Sequence, residues 1–138
     1  MYLLDTNVLA ELRKAKTGQA NERVLHWARS VPTQSLFIST MNVLEIEIGI
    51  QLIARRDTAQ AERLRVWLEH AVLGAFAGRI LPIDLAIARR CAALHVPDPR
   101  PERDALIAAT ALVHRMRVVT RNVTDFEAMD VAIINPWQ

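Results

Sequence analysis

The stretch that decides the fold is the first one, Met1-Tyr2-Leu3-Leu4-Asp5-Thr6-Asn7-Val8. Its apolar run predicts a buried strand over Tyr2–Leu4, which places Asp5 at the carboxyl end of the strand, where open α/β sheets bind ligands. Thr6 and Asn7 are typical caps for a helix over Val8–Arg13. An ionised carboxylate at the edge of an apolar sheet is costly unless something positive meets it, so Asp5 is the first candidate for chemistry.

The bulk properties indicate one compact domain over residues 1–138. The chain has 138 residues, of which 51% are hydrophobic and 23% charged, with a net charge of +2. No run approaches the roughly 20 apolar residues of a membrane span, and Asp5 interrupts any signal peptide, so no membrane contact and a cytoplasmic location are expected. The single cysteine, Cys91, excludes an intrachain disulfide and a Cys-rich zinc site, and a buried thiol is expected there.

The alternation of apolar runs predicts an α/β fold with a mostly parallel sheet of four to five strands flanked by helices. The predicted strands are Tyr2–Leu4, Ser35–Ser39, Arg79–Ile83, Arg117–Thr120 and Val131–Asn135. The predicted helices are Val8–Lys14, Gln19–Ser30, Met41–Ala54, a segment from Asp57 or Thr58 to Phe76, a segment from Asp84 to His95, Glu102–Met116 and the turn Val123–Met129. Pro82 predicts that its strand lies at an edge of the sheet.

Four acidic residues occupy positions where solvation is not their only explanation. Asp5 ends the first strand, and Asp125 follows the strand that ends at Thr120. Glu45 shares its helix face with apolar or small residues, and Asp104 opens a helix of small side chains, where capping is its alternative role. The carboxyl ends of parallel strands meet at one edge of a sheet, so these acids can converge on one crevice.

Gathered together, four carboxylates cannot all stay ionised unaided. A hard divalent cation would resolve this, and oxygen-only ligands favour Mg²⁺, with Mn²⁺ possible, over zinc. The four histidines show no paired metal-ligand spacing, and no Gly-rich phosphate loop or Gly-x-Ser-x-Gly elbow occurs. A carboxylate cluster with Mg²⁺ suits hydrolytic phosphoryl transfer.

The segment Leu3-Leu4-Asp5-Thr6-Asn7-Val8-Leu9 resembles the opening motif of PIN-domain ribonucleases, the VapC-type toxins of toxin–antitoxin pairs. Three further stretches match that family in order, and the closing Asn135-Pro136-Trp137 resembles its FitB-like branch. These stretches are Ser39–Gly49 with Glu45-Ile46-x-x-Gly49, then Asp104-x-x-Ile107-Ala108-Ala109, then Thr120-Arg121-Asn122-x-x-Asp125-Phe126. The resemblance covers essentially the whole chain, and the four ordered motifs together make it specific.

The resemblance implies a Mg²⁺-dependent endoribonuclease whose acidic site consists of Asp5, Glu45, Asp104 and Asp125. It makes Asp5 and Asp104 the main metal ligands. It gives Glu45 a part in holding the metal or positioning the attacking water. Asp125 would complete the cluster through water or a second metal, with Asn122 as the alternative.

The resemblance further implies supporting roles around the acids and a set of partners. Thr6, Asn7 and Thr120 would support the acids, although the first two could simply cap a helix. The basic residues Arg13, Lys14 and Lys16, expected near the same sheet edge, could bind RNA phosphates or form a solvated loop. The implied partners are an RNA substrate, a cognate antitoxin of the VapB or FitA kind, and a second copy in a homodimer that forms a heterotetramer or larger complex with the antitoxin.

Two other functions compete with this interpretation. One is a non-catalytic PIN module that acts by complex formation with a DNA-binding partner. The other is an aspartate-phosphorylated domain or haloacid-dehalogenase-like phosphatase, which also places Asp after the first strand. That phosphatase family needs a second Asp two residues later, where this chain has Asn7.

Overall fold

The computed structural model describes residues 1–138, which form a five-stranded parallel sheet flanked by seven helices. The strands are β1 (Tyr2–Leu4), β2 (Leu36–Ser39), β3 (Ile80–Leu81), β4 (Arg117–Val119) and β5 (Ile133–Ile134). The helices are α1 (Thr6–Arg13), α2 (Glu22–Ser30), α3 (Thr40–Ala54), α4 (Thr58–Val66), α5 (Leu85–Leu94), α6 (Glu102–His114) and α7 (Val123–Glu127). Two short 3-10 turns, Lys14–Thr17 and Thr33–Ser35, and a π-helical continuation of α4 over Trp67–Gly74 complete the chain.

The strand order is β3-β2-β1-β4-β5, and every strand pair is parallel. The α/β fold predicted from the sequence is therefore confirmed, with β1 at the centre. The strand that contains Pro82 in its predicted range lies at the edge, as expected for a residue that lacks a backbone donor. None of the helices has the length and apolar character that a membrane span requires.

Consecutive residues of β1 point to opposite faces of the sheet, and each face has its own core. Leu3 packs in a cluster with residues of α5, α6 and α7, whereas Leu4 packs with residues of α1, α3 and the π-helical segment. Both leucines are fully buried. The first strand thus holds the two layers together, and the expected buried thiol at Cys91 lies in the Leu3 cluster.

The starts of two helices, α1 and α3, differ from the sequence-based expectation. The helix α1 begins at Thr6, so Asp5 is its cap, and Thr6 and Asn7 belong to its first turn. The helix α3 is capped by Ser39, with Asn42 completing a reciprocal capping box. In both cases the strand passes into the helix with at most one residue between them, so the cap is the residue immediately before the helix.

Candidate active site

The strand register brings two polar side chains together at the carboxyl edge of the sheet. Leu4 of β1 pairs with Val119 of β4, so the next residues, Asp5 and Thr120, lie side by side. The backbone N–H of Asp5 donates to the carbonyl of Val119 at 2.9 Å, which extends the strand pairing to the edge. The α1, α3, α6 and α7 helices then add their own side chains around this point.

Asp5 is buried, with 6% of its surface exposed, and its carboxylate is fully engaged. One oxygen accepts the backbone N–H of Thr6 at 2.8 Å, and the other accepts the Thr120 hydroxyl at 2.8 Å and the Asn7 amide at 3.4 Å. Burial raises the pKa of Asp5, the hydrogen bonds from Thr120 and Thr6 oppose that rise, and the charge of Asp125 adds to it. These donors orient the carboxylate without neutralising it.

Glu45 lies on α3, and its position is set by a chain of hydrogen bonds. The Thr6 hydroxyl donates to the Glu45 carboxylate at 3.0 Å, and the Asn42 amide donates to the Thr6 oxygen at 3.0 Å. Burial raises the pKa of Glu45, and the charges of Asp5 and Asp104 contribute to the rise, whereas the Thr6 hydrogen bond and the charge of Arg103 lower it.

Asp104 lies in the first turn of α6. Burial is the largest cause that raises its pKa to about 6, and the charges of Asp5 and Asp125 raise it further. Because helix α6 follows Pro101, whose side chain makes no capping bond, Asp104 is a first-turn acid rather than the cap. The structure thus brings Asp104 into one electrostatic group with Asp5, Glu45 and Asp125.

Asp125 is the exposed member of this group and lies in the first turn of α7. Its charge acts on both Asp5 and Asp104. Asn122 precedes α7, and its backbone N–H donates to the Thr120 hydroxyl at 3.0 Å, but its side chain makes no hydrogen bond to the acids. Asp125 thus shares the charge interactions of the acids, and its place as the fourth member of the site stays a prediction.

The basic residues lie at the C-terminal end of α1: Arg13 is its last residue, and Lys14 and Lys16 come after it. An eight-residue helix is about 12 Å long, so these residues lie roughly that far from Asp5. Lys14 forms an ion pair with Glu11 at 3.3 Å, and the Arg13 guanidinium lies 5.9 Å from the centre of the Trp67 ring. Arg13, Lys14 and Lys16 thus lie at the end of α1 opposite Asp5, and their contact with RNA phosphates stays a prediction.

Sequence reasoning missed two residues near the acids. Asn42 is fully buried, accepts the backbone N–H of Ser39 at 2.7 Å and holds Thr6 in place. Its signal in the sequence was its position three residues after Ser39, which is the spacing of a capping box. Arg103 adjoins Asp104, and its charge counteracts the rise in the pKa of Glu45. An arginine at an exposed helix start carries no comparable signal.

The donor set fits a hard divalent cation. All candidate ligands are carboxylate oxygens. A bound cation would stabilise the ionised carboxylates of Asp5, Glu45 and Asp104, and so offset the burial and repulsion that raise their pKa values. No group of three or more His, Cys, Asp or Glu side chains is already arranged to hold one ion. Carboxylate oxygens are the ligands that hard divalent cations prefer.

The family model and the sequence relatives point to the same protein family. The chain matches the family model of the PIN domain over residues 2–132. It is 38% identical over 145 aligned residues to Toxin FitB of Neisseria gonorrhoeae, and the alignment covers 99% of each chain. It is also 38% identical to VapC ribonuclease Y4jK of Sinorhizobium fredii, with 100% of this chain and 99% of that protein covered.

Solved structures agree with the sequence relatives. The structure of FitAcB from Neisseria gonorrhoeae superimposes with a TM-score of 0.88 at 36% identity and covers 100% of this chain and 99% of that one. A toxin–antitoxin complex from Klebsiella pneumoniae superimposes with a TM-score of 0.72 at 28% identity, with 100% and 99% of the two chains covered. The similarity therefore extends over the whole chain, including every element that carries an acid.

Proposed function

This chain belongs to the PIN-domain family, as its four sequence motifs indicated, and we propose that it is a divalent-metal-dependent endoribonuclease that acts as the toxin of a toxin–antitoxin pair. The observation that carries the proposal is the raised pKa of Asp5, Glu45 and Asp104, which burial and the charges of neighbouring acids cause, with Asp125 acting on Asp5 and Asp104. These four acids come from separate parts of the chain. The names of the relatives FitB and VapC ribonuclease support both the toxin role and the nuclease activity. Action on cellular RNA would take place in the cytoplasm.

In this proposal Asp5 and Asp104 hold the Mg²⁺ ion, with Mn²⁺ as a substitute, and Asp125 completes the set through water or a second ion. The bound cation would neutralise charge on the scissile phosphate and acidify a water. Asp5 is held in place by Thr120, Thr6 and Asn7, so its carboxylate needs no reorganisation to bind an ion.

Glu45 is the residue that we assign to the attacking water. Its pKa is raised, which makes the carboxylate a better proton acceptor than a solvated glutamate. The hydrogen bond from Thr6 occupies one carboxylate oxygen and leaves the other free to accept the proton of water. As water attacks phosphorus, the bond to the leaving ribose oxygen breaks, and hydrolysis of the phosphodiester is complete when that oxygen takes a proton.

The experiment is an RNA cleavage assay with the purified protein and total cellular RNA. We expect cleavage with Mg²⁺ or Mn²⁺, none with EDTA, and none by the Asp104→Asn variant. Asp98→Asn is the matched control, because Asp98 is an exposed carboxylate that makes no hydrogen bond. Cleavage by Asp104→Asn at the rate of the unmodified protein would refute the proposed site.

We also propose that the chain binds a cognate antitoxin of the VapB or FitA kind and pairs with a second copy of itself, forming a heterotetramer or larger. The structural relatives FitAcB and the Klebsiella toxin–antitoxin complex support the antitoxin. For self-association the support is the exposed apolar stripe of α3, where Leu44 and Leu52 are 47% and 58% exposed. Light scattering of the Leu52→Glu variant tests it, since a dimer through α3 would dissociate into monomers.

The non-catalytic alternative makes a different prediction in cells. If the chain acted only by forming a complex, Asp5→Ala would leave its toxicity unchanged on expression without antitoxin. We expect Asp5→Ala to abolish the growth arrest, because the variant loses the carboxylate at the centre of the acidic group.

A further inference from the structure

The acidic site is continuous with a second polar surface at the same edge of the sheet. The backbone N–H of Arg121, the residue after Thr120, donates to the Asn7 side chain at 3.4 Å, and Asn7 contacts Asp5. The guanidinium of Arg121 then lies over the ring of Trp137, 5.4 Å from its centre. A short path of direct contacts therefore leads from Asp5 to Trp137.

Beyond Trp137 lies a cleft between α2 and the segment that follows β5. The cleft has a volume of about 570 Å³, and its walls include Arg23, His26 and Trp27 on one side and Asn135 and Pro136 on the other. The side-chain carbonyl of Asn135 accepts the backbone N–H of Trp137 at 3.0 Å. Trp137, which contacts Arg121, and Asn135, which lines the cleft, therefore belong to one turn. We call this surface the α2–β5 cleft.

The cations along this path are available to a ligand. The two ion pairs of the chain join Lys14 to Glu11 and Arg65 to Glu62, so neither Arg23 nor Arg121 has a carboxylate partner. Both arginines are exposed. Glu22 is the one acidic side chain in the wall of the cleft. An exposed arginine that has no ion-pair partner and lies over an aromatic ring can present its N–H groups to a phosphate.

A nucleic-acid strand needs such a surface here, because the four carboxylates of the site repel phosphates. Affinity for a polyanion comes mainly from cations that contact its backbone, and bases of an unpaired strand stack on exposed aromatic or histidine rings. Arg121 and Arg23 provide the cations. The exposed His26 ring lines the cleft, together with the half-buried Trp27, whose ring packs edge-on against Tyr2. We propose that single-stranded RNA runs from the acidic site over Arg121 into the α2–β5 cleft, with Arg121 as a positioning residue. This inference rests on the proposed ribonuclease function.

The test measures binding separately from cleavage. A fluorescein-labelled single-stranded RNA of mixed sequence is titrated with the full-length protein in EDTA, and fluorescence anisotropy is recorded at several salt concentrations. We expect Arg121→Ala and Arg23→Ala each to weaken binding about tenfold. Each should also reduce the slope of log K against log salt by about 0.7, the value for one lost phosphate contact on a single strand.

Two further variants separate position from charge. Arg121→Lys keeps the charge but not the planar contact with Trp137, so we expect it to retain the salt slope while cleavage slows. Arg89→Ala removes one exposed positive charge from α5, outside the cleft, and should bind RNA as the unmodified protein does. Unchanged circular dichroism shows that each variant is folded.

The other outcomes separate the RNA path from the ribonuclease function on which it rests. Equal losses in Arg89→Ala and Arg121→Ala would show that only net charge matters. Unchanged RNA binding in the cleft variants, with weaker binding of the co-expressed antitoxin, would make the cleft a protein-binding surface. An unmodified protein that binds RNA through these arginines but never cleaves it would refute the ribonuclease function and leave the RNA path intact. Absence of both binding and cleavage would refute both proposals.

Discussion

The hydroxyl of Thr120 donates a 2.8 Å hydrogen bond to the carboxylate of Asp5, a residue 115 positions earlier in the chain. The contact exists because β1 and β4 are neighbours in the sheet with Leu4 opposite Val119. The same hydroxyl oxygen accepts the backbone N–H of Asn122 and the side-chain amide of Asn7. Thr120 therefore connects the end of two strands, the start of α7 and the first acid of the site.

Replacing Thr120 by valine, whose side chain has nearly the same shape, should weaken metal binding. The variant loses the donor that fixes the Asp5 carboxylate, and loss of such an orienting partner lowers metal affinity about 10- to 100-fold. The free energy of unfolding should fall by about 1 kcal/mol. Calorimetric titration with Mn²⁺ measures the affinity. Thr110→Val, which also removes a buried threonine hydroxyl but within α6, is the control, and equal affinities of the two variants would contradict the role of Thr120.

Asn42→Ala should affect both stability and activity. The change leaves the backbone N–H of Ser39 without a partner in the interior and frees the Thr6 hydroxyl from its fixed orientation toward Glu45. We expect a loss of about 1–3 kcal/mol in the free energy of unfolding and a cleavage rate lowered at least tenfold.

Asp84→Ala is the control for Asn42→Ala. Asp84 caps α5 through the backbone N–H of Ile87 at 2.9 Å, so its loss should cost about 1 kcal/mol of stability far from the acids. If Asp84→Ala slowed cleavage as much as Asn42→Ala, the effect would follow from stability alone and not from the position of Thr6.

The metal-free protein should lose stability as the pH rises through the titration of Asp104. Burial and the charges of Asp5 and Asp125 raise the pKa of Asp104 from 3.8 to about 6, so the folded state holds this proton more tightly than the unfolded chain. Below pH 3.8 both states are protonated and Asp104 contributes no difference. Between pH 3.8 and 6 the free energy of unfolding falls, and above 6 the penalty is complete.

Urea unfolding in EDTA measures this effect. At pH 7.5 the free energy of unfolding of Asp104→Asn should exceed that of the unmodified protein. At pH 3.5, where Asp104 is protonated in both states, this difference should vanish. Asp98→Asn removes an exposed carboxylate and should show no such gain. A stability of Asp104→Asn that stays below that of the unmodified protein at pH 7.5 would show that Asp104 is not destabilised by its neighbours.

Arg79→Met should destabilise the fold without affecting the acidic site. Arg79 is 9% exposed, and its guanidinium donates to the carbonyls of Thr33, Leu36 and Ala75, while its plane lies over Phe76. Methionine fills the space but donates to none of these carbonyls, so the free energy of unfolding should fall by about 2–4 kcal/mol. Urea unfolding measures the change, and Arg29→Met, on the exposed side of α2, should lie within about 0.5 kcal/mol of the unmodified protein.

The elements near the first acid illustrate what local sequence can predict. The apolar runs correctly located β1, β2 and β4, and the proline in the range of β3 correctly placed that strand at an edge. The helix caps were less accurate, because Asp5 and Ser39 serve as the last residue of the strand segment and as the cap at once. Thr6 and Thr40 have a similar propensity for the cap position. Only the course of the backbone decides which of two neighbouring residues is the cap.

The supporting residues around the acids were predictable to different degrees. Thr6, Asn7 and Thr120 were suspected from the family motifs, and the structure places all of them in hydrogen bonds at the acids. Asn42 was missed because its one signal, the capping-box spacing from Ser39, is recognised only when Ser39 is taken as the helix cap, and the sequence placed the start of the helix at Met41. The position of Arg13, Lys14 and Lys16 relative to the acids depends on the direction of α1, which local sequence does not set, and their role stays a prediction.

By itself, the sequence determined the α/β alternation, the family and the four acids, since apolar periodicity and ordered motifs are local features of the chain. Only the tertiary structure decided how these acids meet, which donors hold them and which cations remain unpaired. Asp5 and Thr120 are adjacent through the register of two strands, and Arg121 lies over Trp137 through the pairing of β4 with β5. Contacts of this kind depend on strand order and register, which no local pattern encodes.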